Sequence, residues 1–118
     1  REPMRAQRYH ITMQGPFQNM EGELLLQLDR TEVSGCVQVG DRSSYFQGRM
    51  LRRNRYAAAL RLKTDVYEED CDMLLRVQPS GALRGSVMGE WGTWTLEGTA
   101  AEDLPAPEAP APAEAGNP

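Results

Sequence analysis

The chain is poor in the residues that most catalytic and metal sites need. It has one histidine and two cysteines in 118 residues, and Cys36 and Cys71 stand in neither metal-ligand nor redox spacing. His10 falls on the polar side of an alternating segment, away from the apolar side. The sequence contains no Ser, His and Asp set and no glycine-rich phosphate loop. We therefore expect a protein that is not an enzyme and that has no catalytic residue, metal site or cofactor.

Scarce cysteine also bears on the cellular compartment. A single disulfide between Cys36 and Cys71 is possible, but small domains that depend on disulfides use more cysteine than this. Two free thiols in a reducing environment is the interpretation that we favour. It predicts a cytoplasmic location.

Long apolar runs are absent as well. No segment approaches the ~18 consecutive apolar residues that indicate a transmembrane helix. The amino terminus shows no charged-then-apolar targeting pattern, although the sequence starts at Arg1 and a targeting segment could precede it. We expect no membrane partner.

The last stretch lacks aromatic residues, lysine and arginine. Residues 102–118 hold five of the eight prolines and four acidic residues. Such a segment cannot bury enough apolar surface to offset its ordering entropy. We predict a folded domain over residues 1–101, followed by a disordered, acidic, Pro/Ala-rich tail over residues 102–118.

The predicted folded domain has no excess of either charge. Residues 1–101 contain 13 acidic and 13 basic residues, so the net charge of −4 belongs to the tail. A nucleic-acid-binding domain usually shows a basic excess. We therefore expect no nucleic-acid partner.

Alternation of apolar and polar residues, the period of a β-strand, runs through nearly the whole of residues 9–98. Eight such runs are separated by short turn segments, which force antiparallel neighbours. An open sheet of this kind would expose two edges, whereas pairing the first strand with the last removes them. We predict an all-β, eight-stranded antiparallel up-and-down barrel, with a two-sheet β-sandwich as the alternative.

Apolar and glycine positions also recur at an offset of 49 or 50 residues, which predicts that residues 9–48 and 56–98 are two copies of a four-strand unit. The recurring positions are Leu26, Leu28, Val33, Gly35, Val37, Phe46 and Gly48, which return as Leu75, Val77, Leu83, Gly85, Val87, Leu96 and Gly98.

This architecture resembles the calycin-like barrels of the lipocalin, fatty-acid-binding and avidin groups in strand count and hairpin order. The resemblance is confined to architecture. A lipocalin carries a Gly-x-Trp sequence near its first strand, whereas here Gly89-Glu90-Trp91 stands near the last turn.

Successive turns of a meander alternate between the two ends of the barrel, so the longer loops gather at one end. Bulky side chains are expected around that mouth, namely Phe17, Met20, Tyr67 and Trp91. They would either admit a ligand or grip a partner, or fold inward and close the barrel as part of its core.

The opposite end is predicted to carry a basic patch, formed by Arg49, Arg52, Arg53 and Arg55. Such a patch would contact phosphates or an acidic partner, or would be a solvated hairpin. A third hypothesis is a salt-sensitive contact between these arginines and the acidic tail of the same chain.

Outward apolar residues recur on the predicted wall. Leu25 and Leu74 occupy equivalent positions of the two repeats, and Cys36 and Met88 lie on the neighbouring strands. They predict an interface for self-association or for a protein partner, or are ordinary isolated apolar residues.

Two functions follow from this predicted barrel. The favoured one is a non-enzymatic interaction or assembly module, because bulky aliphatic residues dominate the inward positions and would fill the lumen. The alternative is a binding protein that holds a small apolar ligand in the lumen, because inward glycines such as Gly35 and Gly85 leave space. We expect such a ligand to enter past Phe17, Tyr67 and Trp91.

Overall fold

The structure, a computed structural model, describes residues 4–101 and consists of β-strands joined by turns. The strands are β1 (Arg5–Gln14), β2 (Asn19–Asp29), β3 (Glu32–Val39), β4 (Arg42–Arg52), β5 (Arg55–Lys63), β6 (Glu68–Val77), β7 (Leu83–Gly89) and β8 (Gly92–Ala100). Within residues 4–101 there is no helix with the length and apolar character needed to cross a membrane.

The sheet closes on itself. Each strand pairs antiparallel with the next, and β1 pairs with β8, so that Ile11 faces Gly22 on one side and Gly98 on the other. Every strand therefore has a hydrogen-bonded neighbouring strand on both sides. The predicted eight-stranded up-and-down barrel is confirmed, and the alternative β-sandwich is wrong because a sandwich would leave this seam open.

At the recurring positions, corresponding residues of the two halves have corresponding partners on the neighbouring strands. Gly35 lies opposite Leu26 and Phe46, while Gly85 lies opposite Leu75 and Leu96. The glycines are needed here because the strands approach closely. A Cβ atom on Gly35 would overlap the carbonyl oxygen of Leu25. The sequence duplication itself stays a prediction.

The turns divide between two ends of the barrel. The loop end is formed by residues 15–18, 40–41, 64–67 and 90–91. The termini end is formed by residues 30–31, 53–54 and 78–82, together with the start of β1 and the end of β8. Several turns hold only two residues, and Gly40 and Asn54 adopt the positive φ that such hairpin turns require.

The core is formed by the inward side chains, including several large ones at the loop end. Met13, Leu62 and Trp94, all near that end, are fully buried. The β1–β2 loop covers the indole of Trp94 so closely that a Cβ atom on Gly15 would overlap the ring. Alternation of apolar and polar residues places further apolar side chains on the inward face, and these are buried as well, namely Ile11, Met13, Leu24, Leu26, Val37, Phe46, Leu60, Leu75 and Val87.

The predicted tail, residues 102–118, lies outside the described residues. Strand β8 ends at Ala100, and the N–H of Ala101 donates a hydrogen bond to the carbonyl oxygen of Arg8 at 2.8 Å. The last described residue is therefore fixed against β1.

Candidate functional site

The four residues predicted around the mouth separate into two pairs. Phe17 and Trp91 are 79% and 65% exposed at the tips of adjacent loops. Met20 and Tyr67 instead pack against the core. Burial raises the pKa of Tyr67, and a side-chain hydrogen bond with Trp94 opposes this rise. The loop end is thus closed from inside, and Phe17 and Trp91 remain on its outer surface.

Thr64 holds Tyr67 over the barrel end. Its hydroxyl accepts hydrogen bonds from the N–H groups of Val66 and Tyr67, both at 3.2 Å, and donates to the carbonyl oxygen of Tyr67. Thr64 is itself buried. The β5–β6 loop therefore has a specific fold that directs Tyr67 toward the lumen.

A carboxylate lies inside the barrel at this end. Glu69 is 7% exposed, and its Oε1 accepts a hydrogen bond from the N–H of Glu90 at 3.0 Å. Its Oε2 is buried without a hydrogen-bond partner among residues 4–101. Sequence reasoning missed Glu69 because it stands in a run of acidic residues. The alternation that buries Cys71, Met73 and Leu75 on the same strand face could have identified it.

Both cysteines are free thiols. Cys71 is buried inside the barrel on β6, whereas Cys36 is half-buried on β3. Burial, with a smaller contribution from the charge of Glu69, raises the pKa of the Cys71 thiol to about 11. At neutral pH this thiol is therefore protonated, and its nucleophilicity is low.

An apolar cavity of about 380 Å³ opens at the termini end of the lumen. Its lining includes the apolar residues Leu26, Leu28 and Val77, the tyrosines Tyr9 and Tyr56, and the polar residues Gln7 and Asn54. Burial raises the pKa of both tyrosines. Tyr56 raises that of Tyr9 further, while the charge of Arg5 opposes the rise at Tyr56. The two hydroxyls and the Arg5 guanidinium therefore share one electrostatic environment at the cavity.

This cavity lies at the end opposite the predicted ligand entrance. Its described lining does not include Phe17, Tyr67 or Trp91. The difference follows from side-chain volume, because Met13 and Trp94 fill the loop end of the lumen. The sequence pattern identified both ends but did not show which one is filled.

All members of the predicted basic patch, Arg49, Arg52, Arg53 and Arg55, are exposed around the β4–β5 hairpin. A β-bulge between Met50 and Arg52 adds one residue to β4 and leaves both Leu51 and Arg52 exposed. Arg52 consequently lies opposite Arg55.

The basic surface extends further than predicted. Arg76 lies opposite Arg55 on the neighbouring strand, and Arg84 lies opposite Arg76 on the next. Sequence reasoning missed both because they are far from the hairpin in the chain. Tracing the register across the short predicted hairpins would have found them.

The predicted outer-wall residues form two separate pairs. Leu25 lies directly opposite Cys36 on β2 and β3. Leu74 lies diagonal to Met88 on β6 and β7, since Leu74 faces Ser86. These strand pairs are four strands apart in a closed barrel of eight, so they face opposite directions. The four residues therefore do not form one continuous surface.

No protein-family model and no curated protein matches the chain. Among solved structures, it is similar to mFAP1, a redesigned β-barrel whose structure was determined with DFHBI bound. The TM-score is 0.61 at 13% sequence identity, and the match covers 81% of this chain and 93% of that chain. At this identity the similarity shows the β-barrel fold that the two chains share.

Proposed function

We propose that the barrel binds a small, largely apolar ligand in the lumen, entering at the termini end. The observation that carries this proposal is the apolar cavity of about 380 Å³. Pockets for small molecules typically measure ~300–1,000 Å³ and combine apolar walls with a few polar groups. The proposed function is binding without catalysis.

The lining favours a particular ligand chemistry. Leu26, Leu28 and Val77 offer apolar contact, and the ring of Tyr9 adds a flat surface. Arg5 stands at the rim of the cavity. We therefore favour an aromatic or alicyclic ligand with one anionic or hydrogen-bonding group directed toward Arg5. That the structure of mFAP1, a barrel of similar fold, was determined with DFHBI bound supports a ligand-binding role.

A larger concavity, of about 800 Å³, lies on the outer wall. Its lining includes charged residues such as Glu21, Arg84 and Glu97. Its lining is largely polar and charged, so an apolar ligand would cover those groups without satisfying their hydrogen bonds. The lumen cavity is the better candidate because most of its lining residues are apolar.

Fluorescence titration with 1-anilinonaphthalene-8-sulfonate, an aromatic anion, tests the proposal. Leu28→Trp places a bulky indole ring in the cavity. Because the ring occupies space that the ligand needs, binding should weaken by at least tenfold. Trp91→Ala removes an exposed ring at the opposite end and should leave binding unchanged. Cooperative thermal unfolding must be retained by both variants. Equal binding by the wild type and Leu28→Trp would contradict a site in the lumen.

We propose as a second candidate that the loop end docks a protein partner or a second copy of the chain. It is supported by three large exposed side chains on the loops of that end, with Phe17 79%, Val66 75% and Trp91 65% exposed. Two of them lie on adjacent loops, because Pro16 packs against Gly92. Exposed apolar groups of this size are typical of interaction surfaces.

Multi-angle light scattering over a concentration series tests self-association at the loop end. The double substitution Phe17→Ser with Trp91→Ser should remove any concentration-dependent dimer. Leu74→Ser, which changes an exposed apolar residue on the wall, is the matched control. A dimer that persists in the double variant would place the contact elsewhere, and a wild-type chain that is monomeric at every concentration would exclude self-association.

A further inference from the structure

A row of arginines crosses the outer wall near the termini end. Arg52 on β4 lies opposite Arg55 on β5. Arg55 in turn lies opposite Arg76 on β6, and Arg76 lies opposite Arg84 on β7. All four side chains are exposed. We call Arg52, Arg55, Arg76 and Arg84 the arginine row.

Like charges placed directly opposite each other on adjacent strands are destabilising. The β5–β6 ladder shows the contrast within one strand pair. At its loop end Arg61 lies opposite Asp70, and their side chains form an ion pair at 2.9 Å. At its termini end Arg55 faces Arg76. Within this ladder, the like-charge pairing therefore lies at the termini end, in the arginine row.

The arginine row is also short of acidic partners. Arg84 approaches Glu97 at 3.8 Å, at one end of the row. Within residues 4–101, the ion pairs do not include Arg52, Arg55 or Arg76. Three positive charges thus share one exposed strip without a counter-charge from the barrel itself.

We propose that residues 102–118 of the same chain bind across the arginine row. This segment carries four acidic residues and no lysine or arginine. The acidic residues are Glu102, Asp103, Glu108 and Glu114. The negative charge of this segment is complementary to the positive charge of the arginine row, which residues 4–101 leave largely without acidic partners.

The geometry of the chain brings the segment to this surface. It follows Ala101 at the termini end of β8, and β7, which carries Arg84, is the neighbour of β8. Adjacent strands are ~4.8 Å apart, so β7 to β4 spans roughly 15 Å. An extended chain covers ~3.3–3.6 Å per residue, and 17 residues follow Ala101. The segment therefore has length to spare.

Covalent attachment favours this occupant over a separate acidic molecule. Linking two binding groups through a short stretch of chain gives an effective concentration in the millimolar range. Apolar contact adds to the charge attraction, because exposed Leu51 and Leu74 line a shallow groove of about 290 Å³ beside Arg55, Arg76 and Arg84.

Nuclear magnetic resonance of the full-length chain tests the proposal. The side-chain Nε–Hε resonances of Arg55, Arg76 and Arg84 are compared between the wild type and a neutralised variant. That variant carries Glu102→Gln, Asp103→Asn, Glu108→Gln and Glu114→Gln. The barrel residues are unchanged, so folding is not at risk. Arg61 is the internal control, since Glu68 and Asp70 already hold it.

We expect the three resonances to shift between the two proteins at ~10 mM salt, where charges interact over ~30 Å. The difference should disappear at ~1 M salt, where the screening length is ~3 Å, and Arg61 should not shift. Unchanged arginine-row resonances at low salt would overturn the proposal. Shifts that grow with protein concentration would also overturn it, because they indicate a contact between copies. The result does not depend on a ligand in the lumen.

Discussion

The carboxylate of Glu69 accepts a hydrogen bond from the N–H of Glu90 at 3.0 Å, from the inner face of the barrel wall. It therefore ties β6 to the turn between β7 and β8. The same carboxylate occupies the space above Gly89, where an added Cβ atom would overlap it. The buried position of the Glu69 carboxylate therefore requires that residue 89 has no side chain.

We predict energetic coupling between these two positions. Gly89→Ala should destabilise the barrel by ~1–3 kcal/mol, because overpacking forces a buried side chain to move. In a Glu69→Ala background the same substitution should cost much less, since the obstructing carboxylate is gone. Urea unfolding of the two single variants and the double variant measures this coupling. Additive free energies would show that the carboxylate moves aside freely.

The raised pKa of Cys71 predicts an alkaline loss of stability. The thiol pKa rises from 9.0 to about 11 in the fold, so the unfolded chain releases this proton first. The contribution is fully present below pH 9 and is lost as the pH rises toward 11. The buried tyrosines, whose pKa values are also raised, act in the same direction at higher pH.

The variant Cys71→Ala isolates the thiol contribution. Its free energy of unfolding should fall less steeply than that of the wild type between pH 9 and 11. Cys36→Ala is the matched control and should retain the wild-type slope. Identical slopes for Cys71→Ala and the wild type would show that the buried thiol ionises as readily as in the unfolded chain.

If the lumen binds an anionic ligand, Arg5 should contribute through its charge. Arg5→Gln should weaken binding of 1-anilinonaphthalene-8-sulfonate roughly three- to tenfold, the size expected of an ion pair of ~1 kcal/mol at a partly exposed site. Binding of Nile red, which is uncharged, should not change. Arg49→Gln removes an exposed charge on β4, outside the described lining of the cavity, and serves as the control. Equal losses for both dyes would indicate a change in cavity shape.

Charge reversal within the arginine row should stabilise the barrel. Arg76→Glu replaces like-charge pairs with opposite-charge pairs and should add ~0.2–1 kcal/mol at low salt. The gain should be larger when residues 102–118 are neutralised, because the wild-type segment already supplies negative charge. Arg49→Glu is the matched control. Arg49 lies opposite Glu32, so its reversal should destabilise. Urea unfolding at low and high salt distinguishes these outcomes.

Strand order and the buried face were predictable because they depend on a local pattern. Alternation alone placed Ile11 and Met13 inside, and both are buried. The inward glycines were predictable for the same reason, as Gly35 shows through its approach to Leu25. Closure followed from the general penalty on exposed strand edges.

The finer features depended on interactions that no local pattern contains. Tyr67 lies inward because a hydrogen bond from its N–H to the Thr64 hydroxyl fixes the conformation of the β5–β6 loop. Arg52 joins the arginine row because a bulge changes the register of β4. The open end of the lumen depends on the summed volumes of side chains from many strands, of which Trp94 is the largest that is fully buried. Alternation predicts the face of the sheet on which a residue lies. It does not predict loop conformation, a β-bulge or which end of the lumen is filled.

The seam between β1 and β8 has a consequence for folding kinetics. The other seven ladders join neighbouring strands through short turns, whereas Tyr9 must meet Ala100 across nearly the whole domain. Pairing β1 with β8 before the hairpins have formed would have a large loop-closure entropy cost. The seam should therefore form late. Until then both terminal strands expose free edges that other chains can extend. A circular permutant joined across this seam and opened between β4 and β5 would make the β1–β8 pairing local and would transfer the late pairing to β4 and β5.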